Sequence, residues 1–249
     1  MPWARASSLH RHMECTAASY LPRLDRGKWS DGYMPSLHND KRPLTDPPEG
    51  PTAAADWGTA MHLAKADREA AAEPFASMWD PYRVNLYPPN LGRHEVALSY
   101  DCATGAIERG PSNRPTSEMD AWKNTRAASC VVGTCDWLGV LPSGVAWVDD
   151  LKTGWQIPDV VTPQTLFYGL VASKLTRVEE CQLSITHWPK RSREPTRENL
   201  WYKVGPLALL SFESELQEAW KRMTSRVVER PGPWCKYCPS ASVCSKAGM

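Results

Sequence analysis

Polar and apolar positions are patterned like strands through the middle of the chain and like helices toward its ends. HEVALSY (94–100) alternates as a strand does, and CVVGTCDWLGVL (130–141) and GVAWVDDLKTG (144–154) read as two strands joined by a Pro-Ser-Gly turn. CQLSITHWPK (181–190) and NLWYKVG (199–205) predict two more strands flanking a polar, basic connection. Residues 3–24 predict a helix, with Ser7 or Ser8 as cap and Leu9, Met13, Leu21 and Leu24 on its apolar face. A second helix is expected over 54–72 around Trp57, Met61 and Leu63. A third is expected over 162–175, with Thr162 as N-cap and Pro163 in the first turn. A fourth covers 213–230, acidic early and basic late as the helix dipole favours. Residues 30–53 and 108–128 are polar, broken by Pro, and expected to be loops. Helices alternating with strands in this order predict an α/β fold with a mixed central sheet flanked by helices.

The pattern is interrupted where charge enters the predicted strands. Asp136 lies on one, and Asp149, Asp150 and Lys152 lie on the next. Residues two apart on a strand share a face, so Asp150 and Lys152 point together and Asp149 points away. If the strands pair as a hairpin, Asp136 lies beside Asp150. Two carboxylates next to a lysine suit a hard cation such as Mg²⁺ or Mn²⁺, which can polarise a phosphate and lower the pKa of a water. The lysine can hold that water or stabilise charge growing on phosphate oxygens. A solvated strand face with a surface ion pair is the alternative. Glu95 is expected to face solvent, with help at the metal site as its alternative.

Composition narrows the setting. The formal net charge is +1, so charge alone does not announce nucleic acid as a partner. No apolar run reaches the length of a membrane span, and the N-terminus has no signal-peptide core. A cytoplasmic protein is expected, in which thiols stay reduced, so the eight cysteines suggest metal binding. Cys235-x2-Cys238-x5-Cys244 gathers three thiols in a tight loop, and a closed site needs a fourth. Cys15, Cys102, Cys130, Cys135 and Cys181 are the candidates; Cys130, Cys135 and Cys181 lie in predicted strands and read as core residues.

Four short motifs in fixed order resemble the RecB-like PD-(D/E)XK nucleases. Gly58-Thr-Ala-Met-His62 resembles their G-x-x-x-H motif, Gly133-Thr-Cys-Asp136 their G-x-x-D, Asp150-Leu-Lys-Thr153 their D-x-K-T, and Gln164-Thr-Leu-Phe-Tyr168 their Q-x-x-x-Y helix. The resemblance implies a restriction-endonuclease-like core in a single domain, 1–249. Within it, 1–29 would hold the first cluster cysteine, 54–204 the nuclease core and 205–249 the last helix and cysteine-rich tail. His62, Asp136, Asp150 and the Leu151 carbonyl would be metal ligands, Lys152 the catalytic lysine, and Gln164 and Tyr168 would orient the lysine and phosphate or contact DNA. The cysteine layout, with SSLHRHMEC upstream, is similar to the AddB-type and CRISPR-adaptation exonucleases. That implies a 4Fe–4S cluster on Cys15, Cys235, Cys238 and Cys244, with structural zinc as the alternative.

The implied function is a stand-alone, metal-dependent DNA exonuclease, since no helicase motif is present. It would act in CRISPR spacer processing or in recombination and repair, on a host or phage genome. Expected partners are single-stranded DNA or duplex ends, CRISPR-adaptation or recombination proteins, and a second copy of the chain. A non-catalytic nucleic-acid-binding module of the same fold is the alternative. Arg191, Arg193, Arg197, Lys221, Arg222 and Arg226 are candidate phosphate contacts or a solvated face, and Trp155 could stack on an unpaired base or lie in the core.

Overall fold

The computed structural model describes residues 4–9, 13, 15, 53–71, 73, 75–88, 90–114, 116–189, 194–196, 200–225, 230, 232 and 235. Seven strands form one mixed sheet: β1 (Ala4–Arg5), β2 (Gly92–Asp101), β3 (Ile107–Ser112), β4 (Cys130–Val140), β5 (Ala146–Lys152), β6 (Cys181–His187) and β7 (Trp201–Val204). Their order is β3-β2-β4-β5-β6-β7, with β1 on β4. β5 and β6 run parallel, as do β1 and β4; the remaining pairs are antiparallel. Among the described residues, the continuous α-helices are α1 (Ala53–Ala66), α2 (Phe75–Trp79), α3 (Arg83–Leu86), α4 (Thr116–Asn124), α5 (Pro163–Thr176) and α6 (Pro206–Ser225). The α/β class expected from the alternation of elements is the one found.

Each face of the sheet buries a separate apolar cluster. One joins Leu98, Leu138 and Val148 to Phe167 and Leu170 of α5 and to Leu209, Phe212 and Leu216 of α6. The other joins Trp137, Trp147 and Leu151 to Trp57 and Met61 of α1 and to Phe75, Trp79 and Tyr87. Trp137 and Leu138, neighbours on β4, enter opposite clusters because successive strand side chains alternate.

Several expectations are corrected. Ala4 and Arg5 form a strand on Val131 and Val132 in place of helix, and a 3-10 turn follows at Ala6–Ser8; Leu9 and Met13 are helical, and the Ser8 hydroxyl donates to the Arg5 carbonyl. Leu21 and Leu24 lie outside the described residues. α1 stops at Ala66, short of residue 72, because the Asp67 carboxylate takes the Glu69 and Ala70 N–H groups in a turn. Leu63 is exposed. The predicted loop 108–128 contains most of β3 and all of α4; Pro111 is tolerated because β3 is an edge strand. α6 begins at Pro206, seven residues before the expected start, with proline where the missing N–H costs nothing. The Thr162 cap is observed: its side chain accepts the Thr165 N–H, and Thr165 answers on the Thr162 N–H.

Candidate active site

The site lies where two strands part. β5 pairs with β4 from Val140↔Ala146 only as far as Trp137↔Asp149. Further along the same edge of β4, β1 takes over at Val132 and Val131. Between them Gly133, Thr134 and Cys135 keep β2 on one side, while the other side opens. In that opening the Asp136 Oδ2 accepts the Leu151 N–H at 2.6 Å, taking a donor that a continued β4–β5 ladder would have used. Continuing the register sets Asp136 opposite Asp150, so the carboxylate pair expected from the hairpin forms. Both residues are buried, 5% and 4% exposed, too little for a solvated strand face.

His62 reaches the opening from α1. Its Nδ1 lies 3.5 Å from Asp136 Oδ1 and 3.5 Å from Glu95 Oε1. The close approach of α1 depends on Gly58, one turn before His62, where a Cβ would stand 2.9 Å from Thr153 Oγ1. His62, Glu95 and Asp136 offer ligand atoms all within 4.8 Å of one another, a spacing that one cation can bridge. Glu95 therefore faces the site and not solvent, correcting the expectation. It does so through a left-handed backbone, φ +46°, beside an irregularity in the β2–β3 register. A non-glycine residue held there stores strain of about 1–3 kcal/mol, and such strain gathers at functional sites. The sequence carries no signal for it.

On the other flank, Lys152 Nζ lies 2.5 Å from Asp150 Oδ2 and donates to Gln164 Oε1 at 3.4 Å. Gln164 Nε2 donates to the Tyr168 hydroxyl at 3.3 Å, one turn further along α5. The amide is thus oriented by both neighbours: oxygen to the lysine, nitrogen to the phenol. Asp149 faces the opposite side, as the alternation requires, and meets Lys65, Tyr87, Ser184 and Thr186. Lys65 and Tyr87 were missed by sequence reading. A lysine one turn from His62 inside an apolar helix was the available signal for the first; nothing marked the second.

The electrostatics follow from this crowding. Burial would depress His62, but Asp136 and Glu95 outweigh it and push the imidazole up to about 9. Burial pushes the Asp150 carboxyl up to about 6, with Asp136 adding, against the pull of Lys152. Burial works against the Lys152 charge, yet Asp150 holds its pKa above the ordinary lysine value, so it stays an ammonium. Burial raises the Tyr168 phenol far above its usual range, so it stays protonated.

A second constellation gathers at the chain ends. Cys15 Sγ accepts the Arg230 N–H at 3.4 Å, and Cys235 Sγ accepts the Gly232 N–H at 3.3 Å. Arg222 of α6 donates to the Met13 carbonyl, which ties the N-terminal segment to the last helix. Cys15 is therefore beside the segment that leads into Cys235; Cys238 and Cys244 lie outside the described residues. Cys102, Cys130, Cys135 and Cys181 are buried, as residues packed into a core are. Among the basic candidates, Lys221 pairs with Glu218, and Arg191, Arg193, Arg197 and Arg226 lie outside the described residues. Trp155 is 69% exposed, so it is not a core residue. No described helix is long and apolar enough to cross a membrane.

The family model described as the PD-(D/E)XK nuclease superfamily matches residues 6–245. No curated protein matches the sequence. Among solved structures, the crystal structure of SSO0001 is 14% identical to the chain, with a TM-score of 0.42, covering 79% of this chain and 72% of that one.

Proposed function

The chain belongs to the PD-(D/E)XK nuclease superfamily, whose members cleave nucleic acids with divalent metals, and from that premise we propose a DNA exonuclease of the RecB-like, iron–sulfur type. The observation that carries this reading is the run Asp150–Lys152–Gln164–Tyr168, hydrogen-bonded and ion-paired end to end, beside His62 and Asp136 at the parted strands. All four motifs of the resemblance meet there, although the glycine of the first, Gly58, and the carboxylate of the second, Asp136, lie 78 positions apart in the chain.

His62, Asp136, Asp150 and the Leu151 carbonyl would hold Mg²⁺ or Mn²⁺, which polarises the scissile phosphate and makes an attacking water more acidic. The donor set fits: His62 and Asp136 offer ligand atoms within 4.8 Å of each other and of Glu95, Asp150 lies opposite Asp136 in the continued register, and the imidazole favours Mn²⁺. Glu95 stands within reach of the same position. Lys152, kept charged by Asp150, stabilises the negative charge that grows on the phosphate oxygens and steers the water toward phosphorus. Gln164 fixes the rotamer of Lys152, and Tyr168 fixes Gln164. Trp155, exposed three residues beyond Lys152, would stack on an unpaired base at a DNA end.

Cys15, Cys235, Cys238 and Cys244 would carry a 4Fe–4S cluster joining the chain ends. Backbone N–H groups already directed at the Cys15 and Cys235 sulfurs suit thiolate ligands, and hydrogen bonds to sulfur tune such clusters. Structural zinc is the competing occupant. The reading places the protein in the cytoplasm, acting on single-stranded or duplex DNA ends in CRISPR spacer processing, recombination or repair. The test is an end-labelled digestion series on single-stranded, blunt and overhanging DNA with Mn²⁺, run beside Lys152→Ala. Progressive shortening by the wild type alone supports the proposal. Internal cuts without an end requirement, or no cleavage under any metal, would refute it.

A further inference from the structure

Behind the site lies a set of buried charged and polar groups that the reaction does not use. Lys65 is fully buried on α1, three residues beyond His62 and so near the same helical face. Its Nζ lies 3.6 Å from Asp149 Oδ2 and 4.6 Å from the centre of the Tyr87 ring. Asp149, 1% exposed, immediately precedes Asp150 on β5. The Tyr87 hydroxyl donates to its Oδ2 at 2.7 Å, Thr186 donates to the same oxygen at 2.9 Å, and Ser184 donates to Oδ1 at 2.6 Å. Trp147 Nε1 in turn donates to Ser184 at 2.8 Å. The cluster therefore draws on α1, β5, β6 and the residue just after α3.

Apolar packing tolerates small slides of a helix on a sheet, but a buried ion pair does not. Moving α1 along β5 would strand a charge among buried apolar side chains. The lock acts at both halves of the site. It grips α1 one turn from His62, and it grips β5 at the residue whose neighbour, on the opposite face, is Asp150. We propose that Lys65 and Asp149, keyed by Tyr87, are positioning residues that set the span between His62 and the Asp136–Asp150 pair and so tune divalent-metal affinity. This rests on the reading of those three as metal ligands. Partners that hydrogen-bond metal ligands cost roughly 10–100-fold in metal affinity or activity when removed; these residues act one step further out, through α1 and β5, so the lower end of that range is expected.

The experiment measures Mn²⁺ binding by the full-length protein from the electron paramagnetic resonance of free Mn²⁺, with thermal unfolding and turnover alongside. The variants are Lys65→Met, Asp149→Asn, the double Lys65→Met/Asp149→Asn, and Tyr87→Phe. The double variant leaves no charge in the Lys65–Asp149 cluster, so its unfolding midpoint returns toward wild type, while its Mn²⁺ affinity stays about 10-fold or more below wild type. Tyr87→Phe keeps the shape, folds, and weakens Mn²⁺ binding in the same direction. If Lys65→Met does not fold, the double variant and Tyr87→Phe decide. Folded variants with wild-type Mn²⁺ affinity would overturn the inference while sparing the nuclease reading. A wild-type protein that binds no Mn²⁺, or one whose binding ignores His62→Ala, would overturn the ligand assignment and this inference with it.

Discussion

Gly133 lies against the ring of Tyr168: a Cβ at position 133 would stand 2.8 Å from Tyr168 Cε1 and 3.1 Å from its hydroxyl oxygen. Two motifs far apart in the chain are thus one packing contact. The phenol that holds Gln164, and through it Lys152, can sit where it does only because β4 has no side chain there. The same missing Cβ leaves room for Ala6, whose own Cβ would be 2.6 Å away.

Gly133→Ala should therefore act at a distance. Overpacking of this kind costs about 1–3 kcal/mol of stability. The displaced Tyr168 releases Gln164, so turnover should fall by more than the loss of folded protein explains. Thermal unfolding and turnover measured on the same samples separate the two effects. Normal turnover in a destabilised variant would reduce Gly133 to a packing residue.

Lys152→Ala should abolish cleavage while leaving DNA binding and fold nearly intact. Losing charge stabilisation of this type costs on the order of 10²–10³ in rate. The fold tolerates the loss because the Lys152 side chain is one-third exposed and Asp150 can take a proton in its place. Near wild-type rates would sink the assignment of this lysine.

Metal binding should release protons, in a number that depends on pH. His62, raised to about 9, is protonated at pH 7.5 in the metal-free protein, yet it must be neutral to ligate. Mn²⁺ binding at that pH should release roughly one proton, read by calorimetry in buffers of different ionisation enthalpy. Below pH 6 the Asp150 carboxyl, raised to about 6, also holds a proton, so affinity and cleavage should fall more steeply. Both folded-state values lie above the ordinary ones of 6.5 and 3.8, so in both cases the folded protein holds a proton longer than the unfolded chain. The metal-free protein should then lose stability as pH rises from about 4 to 6 through Asp150, and again toward 9 through His62. Saturating Mn²⁺ should reverse the trend. A binding heat independent of buffer at pH 7.5 would contradict the charged His62.

The parts of the site that could be read from sequence are those set by local spacing. Asp150 and Lys152 share a face because strands alternate, and Gln164 and Tyr168 share one because they are a turn apart. Thr162 and Pro163 announce their helix by cap chemistry. What could not be read depends on distant partners. Glu95 turns inward through an irregular, left-handed backbone that alternation does not predict. Lys65 becomes buried only because Asp149 and Tyr87 arrive from elsewhere. β3 and α4 were hidden for a similar reason: Gly110 packs against the Trp122 ring, a tertiary contact that overrides a polar, proline-bearing stretch.

The cysteine set yields the most exposed prediction. Cys15 accepts the Arg230 N–H, five residues before Cys235, so the N-terminal segment meets the segment leading into Cys235. Protein purified without oxygen should be brown, absorb broadly in the visible, and contain iron and sulfide. Ser in place of Cys15, Cys235, Cys238 or Cys244 should bleach it in each case. Each should also destabilise the fold, because a cluster closing nearly the whole chain restricts the unfolded state. Ser in place of Cys102, Cys130, Cys135 or Cys181 should leave the colour unchanged, since those thiols are buried in the protein interior and burial holds Cys135 and Cys181 protonated. The role of Cys15 rests on one amide contact and on the resemblance, whereas the other three are grouped by their Cys-x2-Cys-x5-Cys spacing. Iron and zinc analysis of the Cys15→Ser protein is therefore the decisive measurement. Full iron content there would mean that another cysteine completes the set, and a colourless wild type with stoichiometric zinc would keep the four-thiol site and reject the cluster.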